Sequence, residues 1–118
     1  MSELQGLKTY RINGVTVVTF EDRGDLAQRA FFGNAAEHFG QIVADHRCST
    51  LVLDMTAITA LPSAMLGVLV GLHNRGIQVR LFNITDDVRF TLQTANLDQV
   101  FEVREGDLSS ILEDAKEE

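Results

Sequence analysis

Residues 50–75, TLVLDMTAITALPSAMLGVLVGLHNR, predict a strand, a short loop and a helix in direct succession. Residues 51–55 are nearly all apolar, which is typical of a strand buried on both faces of a sheet. A helix is expected to begin at about Ser63 and to end before Gly76. In open α/β proteins, functional sites gather where strands end and helices begin. The loop at residues 56–61 and the start of this helix therefore form a candidate functional corner.

The chain before this stretch predicts a hairpin and then a helix. Asn13-Gly14 lies between two β-prone runs, residues 7–12 and 15–20, and both turn positions tolerate a positive φ. Residues 26–46 carry apolar side chains at three- and four-residue spacings, which indicates an amphipathic helix, in one piece or two.

The chain after this stretch predicts two more strand–helix pairs. Residues 77–82 alternate as a strand, Thr85 is a candidate helix cap, and Asn96 suits a left-handed helix end. An edge strand is expected at residues 100–103, and Gly106-Asp107 begins a last helix. Strand–helix–strand units imply parallel neighbours. The predicted class is α/β, with a mixed, mostly parallel sheet of about five strands that opens with a hairpin, and about four helices.

Composition limits the functional classes. The 118 residues are expected to form one domain with a net charge of −7 and a pI of about 4.8, which disfavours nucleic-acid binding. No secretory signal is evident, and no apolar run is long enough to insert into a bilayer. The single Cys48 fits a reducing cytoplasm. The three histidines lack metal-ligand spacing, no nucleophile–base pair can be assembled, and no Gly-rich phosphate loop is present. We therefore expect no metal, no cofactor and no catalysis.

The motifs of the candidate corner resemble those of the STAS domain, the domain of anti-sigma-factor antagonists and of some transporter regulators. The resemblance rests on the strand that ends at Asp54, on Ser63, on Leu66-Gly67-Val68-Leu69, and on residues 91–101. It covers about residues 8–114, so it implies a STAS-like single domain over residues 1–118. Asp54 is expected to hydrogen-bond the following loop as a structural residue.

The corner departs from the family pattern at its signature tetrad, which reads Pro62-Ser63-Ala64-Met65 instead of Asp-Ser-Ser/Thr-Gly. Ser63 matches the first hydroxyl position, but Ala64 stands where the phosphorylated members of the family carry the acceptor. Ser63 is thus a candidate helix cap and a weaker candidate for phosphorylation. The protein has either lost its switch and binds constitutively, or belongs to a branch whose partner was never a kinase.

The central helix is apolar on all sides, which suggests that part of it docks a partner unless neighbouring helices cover it. Gly67 and Gly71 are expected to pack closely on the sheet. The candidate partner-binding residues are Thr59, Pro62, Ser63, Ala64, Met65, Leu69 and Leu72.

The resemblance implies a non-catalytic interaction domain that is similar to an anti-sigma factor antagonist. Its partner would be an anti-sigma factor of the serine-kinase type, or another regulatory protein, bound through residues 59–72, with an indirect effect on transcription. One alternative is a structural subunit of a stress-signalling scaffold or a lipid-transport complex, without phosphorylation switching. Another is a small-molecule or nucleotide-binding regulatory domain. A homodimer is compatible with each.

Overall fold

The structure is a computed structural model that describes residues 7–20, 39–41, 49–56, 58, 60–61 and 63–116. Its strands are β1 (Leu7–Ile12), β2 (Val15–Phe20), β3 (Thr50–Asp54), β4 (Gln78–Phe82) and β5 (Glu102–Arg104). Its complete helices are α1 (Ser63–Asn74), α2 (Asp86–Thr94) and α3 (Leu108–Lys116). Of the helix predicted at residues 26–46, only residues 39–41 are described, and they are helical. The rest of that prediction lies outside the described residues.

The five strands form one mixed sheet in the spatial order β1-β2-β3-β4-β5. β1 and β2 pair antiparallel, and every later pair is parallel. The predicted hairpin is confirmed, because Asn13 and Gly14 take φ values of 50° and 85° and Ile12 lies opposite Val15. The predicted mixed, mostly parallel α/β architecture is confirmed as well.

β3 lies at the centre of the sheet and is buried on both faces, as its apolar sequence predicts. Leu51 and Leu53 belong to the larger core cluster, which also contains α1 and α2 side chains. Val52 belongs to a second cluster on the other face, where Ile111 and Ala115 of α3 cover it. The parallel neighbours β2 and β4 continue both layers. The carboxyl ends of β3 and β4 consequently meet at one edge of the sheet.

Local hydrogen bonds explain where the later elements begin and end. Thr85 caps α2, since its hydroxyl accepts a hydrogen bond from the Val88 N–H at 3.2 Å, and Asn96 takes the expected left-handed conformation with a φ of 59°. β5 begins at Glu102 and not at the predicted residue 100. The N–H groups of Val100 and Phe101 donate to the Leu97 carbonyl, which folds this segment as a turn.

An ion-pair cluster fastens α3 to β4 and β5. Arg80 is only 4% exposed and lies 2.9 Å from Asp114 of α3 and 3.4 Å from Glu102 of β5. Arg104 pairs with the same two carboxylates. Burial raises the pKa of Glu102, but the Arg80 guanidinium and a hydrogen bond from Arg104 outweigh it and lower the pKa below its ordinary 4.5.

The lowered pKa of Glu102 predicts a pH-dependent stability difference. The carboxylate contributes stability that is fully present above pH 4.5, its ordinary value, and is lost as the pH falls through the lower folded-state value. We therefore expect Glu102→Gln to lower the free energy of unfolding at pH 7 and to differ less from the wild type in acid. Urea titrations at several pH values measure this. Glu105→Gln, which removes an exposed carboxylate from the next loop, is the control. An equal deficit at all pH values would contradict the assignment.

Candidate functional site

The candidate corner is built where β3 ends and α1 begins. The carboxylate of Asp54, the last residue of β3, accepts hydrogen bonds from the Thr56 N–H at 3.1 Å and from the Thr56 hydroxyl at 2.6 Å. The side-chain amide of Asn83, just after β4, donates to the same carboxylate oxygen at 3.2 Å. Asp54 therefore makes the loop hydrogen bonds expected of a structural residue.

The loop is also held by its apolar side chains. Met55, Ile58 and Leu61 are buried, with 0%, 0% and 6% exposure. The Met55 N–H donates to the Phe82 carbonyl at 2.8 Å, and the Ile58 N–H donates to the Met55 carbonyl at 2.9 Å. Thr59 and Pro62, two of the predicted partner-binding residues, lie outside the described residues. The buried Ile58 and Leu61, which are the neighbours of Thr59 and Pro62 in the sequence, fix the described part of the loop in the core.

Three predicted contact residues are in the core and not at the surface. Met65, Leu69 and Leu72 are 0%, 0% and 3% exposed and belong to the larger core cluster. Their spacings of four and three residues place them on one helix face, which α1 turns toward the sheet. These side chains cover β3 and β4 and have almost no accessible surface in this structure, and their contact with a partner stays a prediction.

The glycines lie on the opposite face from the one predicted. Gly67 and Gly71 are exposed, and apart from their chain neighbours and the adjacent helix backbone no described atom lies within 4 Å of the position that a Cβ would take at either residue. Ser63, four residues before Gly67, is exposed on the same side. The prediction that the glycines pack on the sheet is wrong, since the large side chains occupy that side. We call the exposed surface with Ser63, Gly67 and Gly71 the outer face of α1.

Apolar side chains flank the outer face of α1. Leu66, Val68 and Val70 are half-buried, so each packs against the core with part of its surface and leaves another part accessible. The outer face is therefore flat along its glycines and apolar at its sides, and a second helix or strand can approach its backbone closely.

Ser63 is the first residue of α1 and is exposed. Residue 62, which precedes the helix, lies outside the described residues, so the role of Ser63 as a helix cap stays a prediction. Ala64 follows within the helix and supplies no hydroxyl at the family's acceptor position. Phosphorylation of Ser63 stays a prediction.

The edge that carries the corner is acidic. Asp86 and Asp87 are exposed in the first turn of α2, and Glu105 and Asp107 are exposed between β5 and α3, at the same edge of the sheet. The Asp107 carboxylate accepts a hydrogen bond from the Ser110 N–H at 2.9 Å, which lowers its pKa. On the outside of α2, Phe90 is 68% exposed.

The described residues carry no group of three or more His, Cys, Asp or Glu side chains that could hold a metal ion. Cys48, His38 and His46 are outside this part of the chain, and His73 packs edge-on against Phe101.

A shallow cleft of about 270 Å³ beside His73, Gln78 and Glu102 lies at the far end of α1 from Ser63. No helix within the described ranges is long and apolar enough to cross a membrane.

Asn83 is the residue of the corner that sequence reasoning missed. It follows β4 immediately and has a φ of 63°, and its side chain bonds to segments on both sides. An Asn directly after an apolar strand, two residues before a helix cap, is the signal that could have indicated it.

The chain is a small α/β domain with an accessible helix face beside the end of its central strand. The family comparison specifies it further: the STAS domain model matches residues 7–114, and the chain belongs to the STAS domain family.

Solved bacterial structures share the fold. An anti-sigma factor antagonist from Mycobacterium paratuberculosis superimposes with a TM-score of 0.67 at 20% identity, over 93% of this chain and 92% of that one. The antagonist SpoIIAA in its unphosphorylated form gives a TM-score of 0.71 at 13% identity, over 95% and 97%. A chain from the stressosome, described as a signal integration and transduction hub, gives 0.64 at 19% identity, over 93% and 96%. A comparison with curated proteins finds no match.

The two faces of α1 predict opposite responses to small substitutions. Leu69→Ala removes a fully buried side chain and should lower the free energy of unfolding by about 2–5 kcal/mol. Gly67→Ala adds a methyl group to an exposed helical position and should raise it by about 0.5–1 kcal/mol. Chemical denaturation of both variants checks this, and a destabilising Gly67→Ala would mean that the glycine face is covered.

Proposed function

We propose that this chain is a non-catalytic interaction domain that works as an anti-sigma factor antagonist. It binds an anti-sigma factor of the serine-kinase type through residues 59–72, in the cytoplasm, and so regulates transcription indirectly. The observation that carries the proposal is the outer face of α1, an accessible and nearly flat helix surface beside the end of the central strand. A STAS fold supplies the setting, and the exposed face supplies the surface that a partner needs.

The shape and polarity of this face support protein binding. Gly67 and Gly71 let a partner approach the helix backbone, and the accessible parts of Leu66, Val68 and Val70 offer apolar area to bury. Burial of apolar area gives roughly 25 cal/mol per Å², and close shape match sets how much of that is realised. Ser63 is at the end of the same face and can donate or accept a hydrogen bond at its rim.

The charge of the surrounding edge favours a basic rim on the partner. Asp86 and Asp87 are exposed at the start of α2, and the chain as a whole carries a net charge of −7. Complementary charge speeds association and rejects acidic competitors more than it adds affinity. The same acidity argues against nucleic acid as the ligand.

The regulation of such binding depends on which hydroxyl groups residues 62–65 provide for phosphorylation. A phosphate on Ser63 would place nearly two negative charges at the end of the outer face and would disrupt an apolar interface there. Ala64 supplies no acceptor at the family's usual position. If Ser63 is not modified, the domain binds constitutively.

A structural role in a stress-signalling scaffold is the second candidate. The specific observation in its favour is the missing acceptor hydroxyl at Ala64, since a permanent subunit needs no phosphorylation switch. A scaffold subunit should form homodimers or larger assemblies, whereas the antagonist should exchange partners.

Co-purification distinguishes the two candidates. The tagged chain is recovered from its native cells, and its partners and the phosphorylation state of Ser63 are identified by mass spectrometry. A kinase-type anti-sigma factor in the eluate is the expected result. Scaffold or transport subunits with unmodified Ser63 would instead support the structural role and would contradict the antagonist role.

A substitution that fills the outer face tests the docking surface. Gly67→Gln adds a long side chain where no described atom is close, so the fold should be unaffected while the partner is held away. We expect the Kd of the co-purified partner, measured by calorimetry, to rise at least about tenfold, or ~1.4 kcal/mol. Ser109→Gln, on the exposed side of α3, is the matched control and should bind normally. Unchanged binding by Gly67→Gln would place the interface elsewhere.

A further inference from the structure

Asn83 connects two segments that are distant from it in sequence, the end of β3 and residues 104–106. Its side-chain amide donates to the Asp54 carboxylate at 3.2 Å and to the Gly106 carbonyl at 2.7 Å, and its side-chain oxygen accepts from the Gly106 N–H at 3.0 Å. Its own N–H donates to the Arg104 carbonyl at 2.9 Å. One residue thus joins the end of β3, the end of β5 and the segment that leads into α3.

Two features of position 83 favour asparagine over other residues. With a φ of 63° the backbone is in the left-handed region, where Asn is tolerated better than most other residues that carry a side chain. The side chain must also donate twice and accept once, which a carboxamide can do and a carboxylate cannot. Aspartate here would in addition face the carboxylate of Asp54.

Gly106, the partner of Asn83, is itself tightly constrained. Its φ is 157°, and a Cβ at this position would lie 2.9 Å from the Cβ of Ser110 in the first turn of α3. The position of Gly106 therefore depends on how α3 packs. A shift of α3 would move Gly106 and weaken both of its hydrogen bonds to Asn83.

The far end of α3 is tied to the same network. Asp114 pairs with Arg80 at 2.9 Å and with Arg104, and the carbonyl of Arg104 is the acceptor for the Asn83 N–H. Asn83 is thus linked to the start of α3 through Gly106, and more indirectly to its far end through Arg104, whose carbonyl bonds Asn83 and whose side chain pairs with Asp114. On its other side Asn83 contacts Asp54, whose carboxylate holds Thr56.

We infer that Asn83 is a positioning residue that couples the packing of α3 to the conformation of residues 54–56, at the base of the corner. The inference rests on the proposed function, because residues 54–56 lead into the segment through which that function binds its partner. α3 is then a regulatory element. A ligand or partner that draws α3 from the sheet loosens residues 54–56 through Asn83 and changes the affinity of the corner.

Coupling of this kind is a free energy, and a double-mutant cycle measures it. Asp114→Asn weakens the ion pairs that fasten α3. Asn83→Gly keeps the left-handed backbone accessible while it removes every side-chain hydrogen bond. The readout is amide hydrogen exchange at Thr56, whose N–H is bonded to Asp54. The Met55 N–H, bonded to the Phe82 carbonyl, is the control for opening of the whole sheet.

We expect Asp114→Asn to speed exchange at Thr56 by at least about fivefold when Asn83 is present, the lower end of ordinary coupling between sites. In the Asn83→Gly background the same substitution should leave Thr56 exchange unchanged. Met55 should respond equally in both backgrounds. If Asp114→Asn unfolds the chain, Arg104→Gln perturbs the same cluster from a more exposed side chain.

Two results would overturn the inference. One is equal acceleration at Thr56 in both backgrounds, and the other is unchanged Thr56 exchange while the amides of α3 exchange faster. The cycle uses only this chain, so its outcome is separate from that of co-purification. A missing partner would remove the proposed function and leave the coupling intact. With a partner in hand, Asp114→Asn should alter its Kd in the Asn83 protein and not in Asn83→Gly.

Discussion

The burial of β3 on both of its faces is the constraint on which the rest of the structure depends. Leu51 and Leu53 need cover from one side, and Val52 needs cover from the other. A strand of this kind needs cover on both sides of the sheet, which helices that connect parallel strands supply. The large side chains of α1 cover Leu51 and Leu53, and α3 covers Val52. The outer face of α1 is therefore not needed to cover the sheet.

The inward and outward sides of α1 differ in the size of their residues, although the helix is apolar nearly all round and only one side faces the sheet. The inward stripe consists of Met65, Leu69 and Leu72, and the outward positions carry Gly67 and Gly71. Two exposed glycines cost helix stability, about 1 kcal/mol each relative to alanine. A helix that keeps them on its accessible face is suited to close contact with another molecule.

The order of elements could be predicted from the sequence because each signal was local. The Asn13-Gly14 turn, the Thr85 cap and the left-handed Asn96 depend on one or two residues and their backbone preferences. The orientation of α1 could not be predicted in the same way. When both sides of a helix are apolar, periodicity does not show which side is buried, and only the larger volume of the Met65 stripe indicated it.

The place of the candidate corner in the fold was predictable from the sequence, and the burial of its side chains was not. The corner was located from the strand end and the helix start, and Asp54 was assigned a structural part, but the residues expected to contact a partner included three core residues. Asn83 was missed because its function depends on Gly106, which is 23 residues away in the sequence and adjacent only after folding. Contacts of this range carry no local pattern.

The central claim is that this STAS domain binds its partner with the outer face of α1. Hydrogen-exchange mass spectrometry of the chain alone and in its purified complex tests this most directly, because it maps protection without any substitution. The account predicts new protection in peptides that cover residues 56–74, larger than any change transmitted to α3 (Leu108–Lys116). Protection confined to α3 or to the β1 edge, with residues 56–74 unchanged, would contradict it.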